Sequence, residues 1–150
     1  MKESLFFNNK IDINFSELIN ANNIALGLYK PLIGFNNKEE FYNIINNSKI
    51  DTINNWTIPI LLNLRKKINI NLGKKYYLIY KKKKIGTITA EDVFKINKNK
   101  YCKKIFNTNS SNHPSVKFIK KMPNTFLGGK IHIFKNFFYK DKYFIYNQFK

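Results

Sequence analysis

The sequence predicts an α+β fold, mainly β: a small barrel or sheet of mixed strands with short peripheral helices. Three observations carry this. Apolar or β-rich runs such as "TIPILLNL", "KKYYLIY", "IGTIT" and "FLGGKIHIF" recur through the middle and end of the chain, as expected of strands with a buried face. Helical signals are confined to short capped segments. Strands and helices do not alternate regularly, which argues against a doubly wound sheet. At 150 residues the chain makes one domain, or one domain and a tail. It can bury roughly 70% of the surface that its unfolded form exposes. A hydrophobic content of 43% argues against global disorder.

Each element has a local reason. Asn14 with Glu17, and Asn37 with Glu40, fit an N-cap followed three residues later by a glutamate. In that geometry the Asn side chain accepts from an orphan helix N–H while the Glu reaches back. The first pair opens a short helix with Phe15, Leu18 and Ile19 near one face. The second opens "KEEFYNIINN", with Phe41, Ile44 and Ile45 at i, i+3 and i+4. Both helices are short and need a core to lie on.

In "TIPILLNL" strict alternation puts Ile58, Ile60, Leu62 and Leu64 on one face. Pro59 cannot donate to a ladder, so an edge or a bulge is expected there. "KKYYLIY" and "IGTIT" flank Lys81, Lys82, Lys83 and Lys84, which read as a hairpin with a solvated four-residue tip. Glu91 and Asp92 then read as a turn. "EDVFKINKNKYCKKIFN" returns towards a helix, and "NTNSSNHPSV" reads as a polar turn region. Gly128 and Gly129 open the last strand, where a bulge or close backbone approach is expected.

The formal net charge is +18. Such an excess usually points to an anionic partner. Here it has another source. Lys, Asn and Ile number 26, 24 and 22, and Arg occurs once, at Arg65. The abundant residues have codons made largely of A and T, so the excess reads as mutational bias more than as a binding footprint. No secretory signal is evident, and "WTIPILLNL" is far shorter than the ~18 apolar residues a spanning helix needs. A soluble, cytoplasmic chain with no membrane partner is expected. Cys102 is the sole cysteine, so neither a disulfide framework nor a Cys cluster for zinc is expected, and no metal site is assigned.

Candidates for chemistry are few. His113 precedes Pro114 in the polar turn, and His132 sits between Ile131 and Ile133. A general base or a metal ligand needs partners in reach, and no spacing supplies them. His113 reads as a residue that caps or packs, His132 as a surface residue of a strand. Glu39 and Glu40 fall in a helix's first turn, where negative charge suits the dipole. "LGGK" lacks Walker spacing and a following helix, so it reads as backbone geometry and not as an anion site. Lys81 to Lys84 are a solvated tip or, alternatively, phosphate contacts. In "FKNFFYKDKYFIYNQFK", eight of 17 residues are Phe or Tyr. Such a tail packs on another surface or stacks bases.

Several stretches then share one resemblance. "ALGLYKPLIGF" holds Gly27, Pro31, Leu32, Gly34 and Phe35; "WTIPILLNL" holds Trp56 and Pro59; "IFNTNSSNHPSV" holds His113 and Pro114; "FLGGKIHIF" holds Gly128 and Gly129. In this order, with "KEEFYNIINN" and "GKKYYLIYKKKKIGTITAEDVF" between them, they resemble the N-terminal PUA-like domain of ATP sulfurylase (sulfate adenylyltransferase). Thr57 stands where that family usually has Pro, and Asn107 and Ser115 stand where it has Gly. Asn tolerates a left-handed backbone; Ser does so less well, so the second turn is expected to be distorted or its glycine dispensable.

The resemblance implies a PUA-like pseudo-barrel over residues 1–134. Residues 135–150 would be an aromatic, lysine-rich tail or the start of an inter-domain connection. The whole enzyme would join ATP and sulfate into adenylyl sulfate and pyrophosphate in sulfate assimilation. The family's Gln-x-Arg-Asn, His-x-x-His and Gly-Arg-Asp-His runs do not occur here, and Gln148 lacks the following x-Arg-Asn. No catalytic residue is therefore assigned, and no cofactor is assigned to this chain. ATP and Mg²⁺ are expected only with the missing catalytic domain. The partner implied is a separate catalytic domain of that enzyme, or further copies of the chain. The alternatives are a PUA-like module that binds RNA through Lys81 to Lys84 and the tail, or a non-functional remnant.

Overall fold

Asn14 and Asn37 each start a helix in the computed structural model, which describes residues 9–135. At the head of α1 (Phe15–Ala25), Glu17 N–H donates to the Asn14 side chain at 2.8 Å and Asn14 N–H donates to Glu17 at 2.9 Å. At α2 (Lys38–Asn47), Asn37 and Glu40 repeat the exchange at 2.8 and 3.0 Å. Both capping boxes satisfy helix N–H groups that have no partner within the helix. α2 buries Phe41, Ile44 and Ile45, as its spacing predicts. α1 is rotated from the expected face: Leu18, Ala21 and Ile24 are buried with Glu17, while Phe15 lies at the surface.

The strands are β1 (Lys10–Asp12), β2 (Gly34–Phe35), β3 (Lys49–Ile50), β4 (Ile53–Asn54), β5 (Lys75–Tyr80), β6 (Lys83–Phe94) and β7 (Phe126–Ile133). Helices α3 (Lys98–Phe106) and α4 (Pro114–Lys121) lie between β6 and β7. Five strands form one sheet in the order β1-β5-β6-β7-β2, and β3 pairs with β4. β1 runs parallel to β5; the other neighbours are antiparallel. The fold is α+β, mainly β, as predicted. One apolar cluster joins α1 to the sheet through Leu18, Leu62, Leu78 and Ile88. A second joins α2, α3 and α4 through Phe41, Phe94, Val116 and Phe126.

Four expectations need correction. The stretch from Ile58 to Leu64 is not a strand. Ile60, Leu62 and Leu64 are buried, but so are Pro59 and Asn63, Leu61 packs against the second cluster, and Ile58 is 58% exposed, so burial does not alternate. The backbone meets β7 at one isolated bridge, Asn63 with Phe126. Leu64 N–H donates to Thr125 at 2.8 Å and Leu127 N–H to Leu62 at 2.9 Å, so the extended backbone is satisfied without a ladder. The hairpin tip is two residues, not four. Lys81 and Lys82 take φ of 46° and 65°, the left-handed pair that suits a tight hairpin, and Lys83 and Lys84 belong to β6. Glu91 and Asp92 are not a turn but part of β6, at an irregularity between Ala90 and Asp92. The polar stretch before Val116 gives way to α4, with Pro114 in its first turn, where a missing N–H costs nothing.

The chain's one arginine explains the inward turn of Glu17. Arg65 reaches Glu17 with both amino groups, at 2.8 and 2.9 Å. Glu17 also accepts from Asn63 N–H at 3.1 Å. A planar fork is what this bidentate contact requires, and lysine cannot supply it. Removing it should be costly, because the Glu17 side chain is only 6% exposed. Arg65→Met should lose about 3 kcal/mol in urea unfolding, the low end for breaking a buried pair, and Arg65→Lys about 1 kcal/mol. Equal stability of all three proteins would show that the pair contributes nothing.

Asn22 is the opposite case. It is fully buried on α1, and neither amide atom has a hydrogen-bond partner among the described residues. An unpaired buried polar group costs about 1–3 kcal/mol. Leu has the same branching and number of side-chain heavy atoms. Asn22→Leu should raise Tm by several degrees, at about 2–4 °C per kcal/mol for a chain of this size. A fall in Tm would mean that the amide has a partner, such as a buried water.

Candidate functional site

The stretch from Ala25 to Phe35 builds a seam where backbones touch. After α1, Gly27 takes φ of 75° and the Lys30–Pro31 peptide is cis. β2 then pairs Gly34 with Lys130 and Phe35 with Gly129. A Cβ on Gly34 would run into the Gly129 carbonyl, and one on Gly129 into the Thr89 carbonyl. A Cβ on Gly128 would stand 2.6 Å from Asn37 Cα. These contacts are with backbone, which cannot swing aside as a side chain can. The close approach expected at Gly128 and Gly129 is therefore real.

The seam positions polar groups around it. Asn36 is fully buried beside it. Ile60 N–H donates to the Asn36 side chain at 2.6 Å, Asn36 N–H donates to Ile60 C=O at 2.9 Å, and the Asn36 amide donates to Glu40 at 3.1 Å. One asparagine thus ties Ile60, next to buried Pro59, to the start of α2. Asp92, at the irregularity of β6, accepts from Lys38 N–H at 2.9 Å. That places a carboxylate at the positive end of α2. Sequence reasoning missed the roles of Asn36, Asp92 and Arg65. The scarcity of arginine was the one available signal.

Two recesses flank this frame. A cleft of about 490 Å³ is lined by Pro31, Leu32, Ile33, Gly34 and Phe35, with Glu39, Glu40, Asp51, Glu91 and Lys130 around it. It is an acidic site on a strongly basic chain. A groove of about 570 Å³ is lined by Tyr29, Trp56, Ile58, Pro59, Phe118 and Met122 among others, with no charged residue. There the Trp56 ring N–H donates to Ile58 C=O at 2.9 Å, and Tyr29 meets Trp56 edge-on at 6.1 Å between centroids.

The remaining candidates lie apart. His113 is the N-cap of α4, makes no side-chain cap bond, and packs on Phe106 with ring centroids 5.1 Å apart. His132 is exposed on β7 opposite Thr87. Lys81 to Lys84 are all exposed. Asn107, at the end of α3, takes φ of 56°, so the left-handed backbone expected there exists. Ser115 instead sits in the first turn of α4 with no positive φ, so the backbone at 115 has no need of glycine. Burial pushes Tyr101 up to about 12, with Cys102 adding to the shift. Burial also raises the Cys102 thiol, with Lys120 and Lys98 opposing, so it stays protonated and poorly nucleophilic at neutral pH. Among the described residues no group of three His, Cys, Asp or Glu side chains could hold a metal ion. No helix among them is long and apolar enough to cross a membrane. The tail from residue 136 onwards lies outside the described residues.

The chain is similar in sequence and in fold to known proteins. The chain is 32% identical over 124 residues to the sulfate adenylyltransferase of Pyrococcus abyssi, covering 83% of this chain and 32% of that protein. It is 33% identical over 111 residues to the sulfate adenylyltransferase of Persephonella marina, covering 72% of this chain and 29% of that one. The chain thus spans about a third of the length of these curated relatives. Among solved structures, a hexameric APS kinase from Thiobacillus denitrificans shares the fold, with a TM-score of 0.60 and 16% identity over 83% of this chain and 21% of that one. A family model described as a PUA-like domain matches residues 2–136, and the chain belongs to that family.

Proposed function

We propose that this chain is the PUA-like module of a sulfate-activating enzyme and carries none of the chemistry itself. In that reaction a sulfate oxygen attacks the α-phosphorus of ATP, adenylyl sulfate forms and pyrophosphate leaves. The observation that carries the reading is the match to sulfate adenylyltransferases over about four-fifths of this chain and a third of theirs.

Electrostatics support the non-catalytic part. Both substrates are anions, so their site must gather cations and donors where charge develops. The cleft beside the seam gathers Glu39, Glu40, Asp51 and Glu91 instead. The groove beside Trp56 has no charge to offer. The residues do not fit Mg²⁺ either: among the described residues the cleft's carboxylates do not converge into a group of three that could hold a metal ion, and Glu40 is already engaged with Asn36 and Asn37. No step is therefore assigned to a metal on this chain. What the module offers a catalytic domain is a rigid frame and the uncharged groove.

Two assays test this. The purified chain with ATP, sulfate and Mg²⁺ should release no pyrophosphate above buffer; release by homogeneous protein would contradict the reading. A chimera in which this chain replaces the matched region of the P. abyssi enzyme should fold and release pyrophosphate within about tenfold of the parent rate, a loss of at most ~1.4 kcal/mol in transition-state stabilisation. A folded chimera without activity would count against membership of the module in such an enzyme.

A further inference from the structure

Apolar surface is left uncovered in the groove beside Trp56. Phe118 of α4 and Ile58 are 62% and 58% exposed. Tyr29, Trp56, Leu61 and Met122 beside them are only partly buried. Charged residues make up 24% of the chain, yet among the described residues none lines this groove. Apolar surface that is contiguous and undivided by charge marks an interaction site. The acidic cleft differs: its walls Leu32, Phe35 and Ile50 are already buried, and Ile33 is the large hydrophobic it leaves exposed.

The chain carries a segment that matches the groove. Residues 136–150 read "NFFYKDKYFIYNQFK", and seven of these fifteen are Phe or Tyr. They hold two uncharged runs, "FFY" at 137–139 and "YFIY" at 143–146, with Lys140, Asp141 and Lys142 between them. Each Phe or Tyr that finds a seat removes about 150–250 Å² from water. Reach does not limit the pairing. Phe134 N–H is anchored to Ile85 C=O at 2.9 Å, and the fifteen residues beyond Lys135 extend up to about 50 Å. A globule of this size is only about 35 Å across. Tethering also decides between occupants. A segment on a short linker sits at an effective concentration in the millimolar range, so the chain's own tail outcompetes that of a second copy.

We propose that this groove is the seat of the chain's own C-terminal tail. An aromatic run of the tail lies over Trp56, Ile58 and Phe118, while Lys140 and Lys142 keep their ammonium groups at the rim in water. The inference does not depend on the enzyme-module reading. It adds a regulatory contact to it: a catalytic domain offered the groove has to displace the tail first.

Trp56 is the chain's only tryptophan, so its fluorescence in the full chain reports on the groove. With the tail seated, Trp56 should emit to the blue of an exposed tryptophan and resist quenching by acrylamide. The full-length variant with Phe137→Ser, Phe138→Ser, Tyr143→Ser and Phe144→Ser should shift the emission to the red and raise the quenching constant. Phe118→Asp, which puts a charge in the groove wall, should do the same. In the Phe118→Asp background the tail changes should have no further effect, since the contact they remove is already lost. Trypsin should cut at Lys140 and Lys142 about tenfold faster in Phe118→Asp than in the parent, as for a segment released from a mostly closed state. Circular dichroism and Tm identify a variant that has lost its fold, and Ile58→Asp then replaces Phe118→Asp. Equal quenching of the parent and the tail variant would overturn the proposal. So would a tail effect that persists in the Phe118→Asp background, or shielding that is lost on dilution, which would assign the groove to a second copy.

Discussion

No side chain fits between β2, β7 and the turn into α2, and most of the architecture follows from that. Gly34, Gly128 and Gly129 let three backbones close on one another. With them closed, Asn36 is buried and can hold both the N–H and the C=O of Ile60. The same closure brings Asp92 to the first N–H of α2. α2 in turn carries Phe41 into the second apolar cluster. The constraint is steric, and steric constraints tolerate drift least, because a backbone neighbour has no rotamer to move into.

That explains which parts of the fold were legible. Both capping boxes were readable, since each is a contact between residues three apart. Strands β5 and β7 were readable from composition and alternation. The path of Ile58 to Leu64 was not, because alternating apolar residues in the sequence do not distinguish a ladder strand from an extended segment buried on both sides, as Pro59 and Asn63 show. In that stretch Asn36 and a single bridge take the place of a neighbouring strand. α4 had a signal that the polar run before it obscured: Pro114 at the start, with buried Val116 and Ile119 three apart. The Glu17–Arg65 pair spans 48 positions and leaves no local trace beyond the rarity of arginine.

The candidate sites follow the same division. Local chemistry such as the lysine run was visible, yet it misled about extent, because two of its four lysines belong to β6. Charge segregation was invisible in one dimension. Glu39, Glu40, Asp51 and Glu91 come from three stretches of chain and meet at one cleft. A composition dominated by lysine and asparagine hides such patterns until the register is known. Membership of the PUA-like family accounts for the frame, and the acidic cleft is superimposed on it.

The central claim is that the seam, and not glycine's flexibility in general, holds the frame together. Equilibrium urea unfolding of Gly34→Ala, Gly128→Ala and Gly129→Ala beside Gly73→Ala tests it most directly. Gly73 takes φ of 83° but has open space where a Cβ would stand, so its variant should lose about 1–2 kcal/mol from backbone strain. Each seam variant should lose about 3 kcal/mol or more, the upper end for overpacking, or fail to fold. Seam variants as stable as the parent, or no worse than Gly73→Ala, would contradict the account.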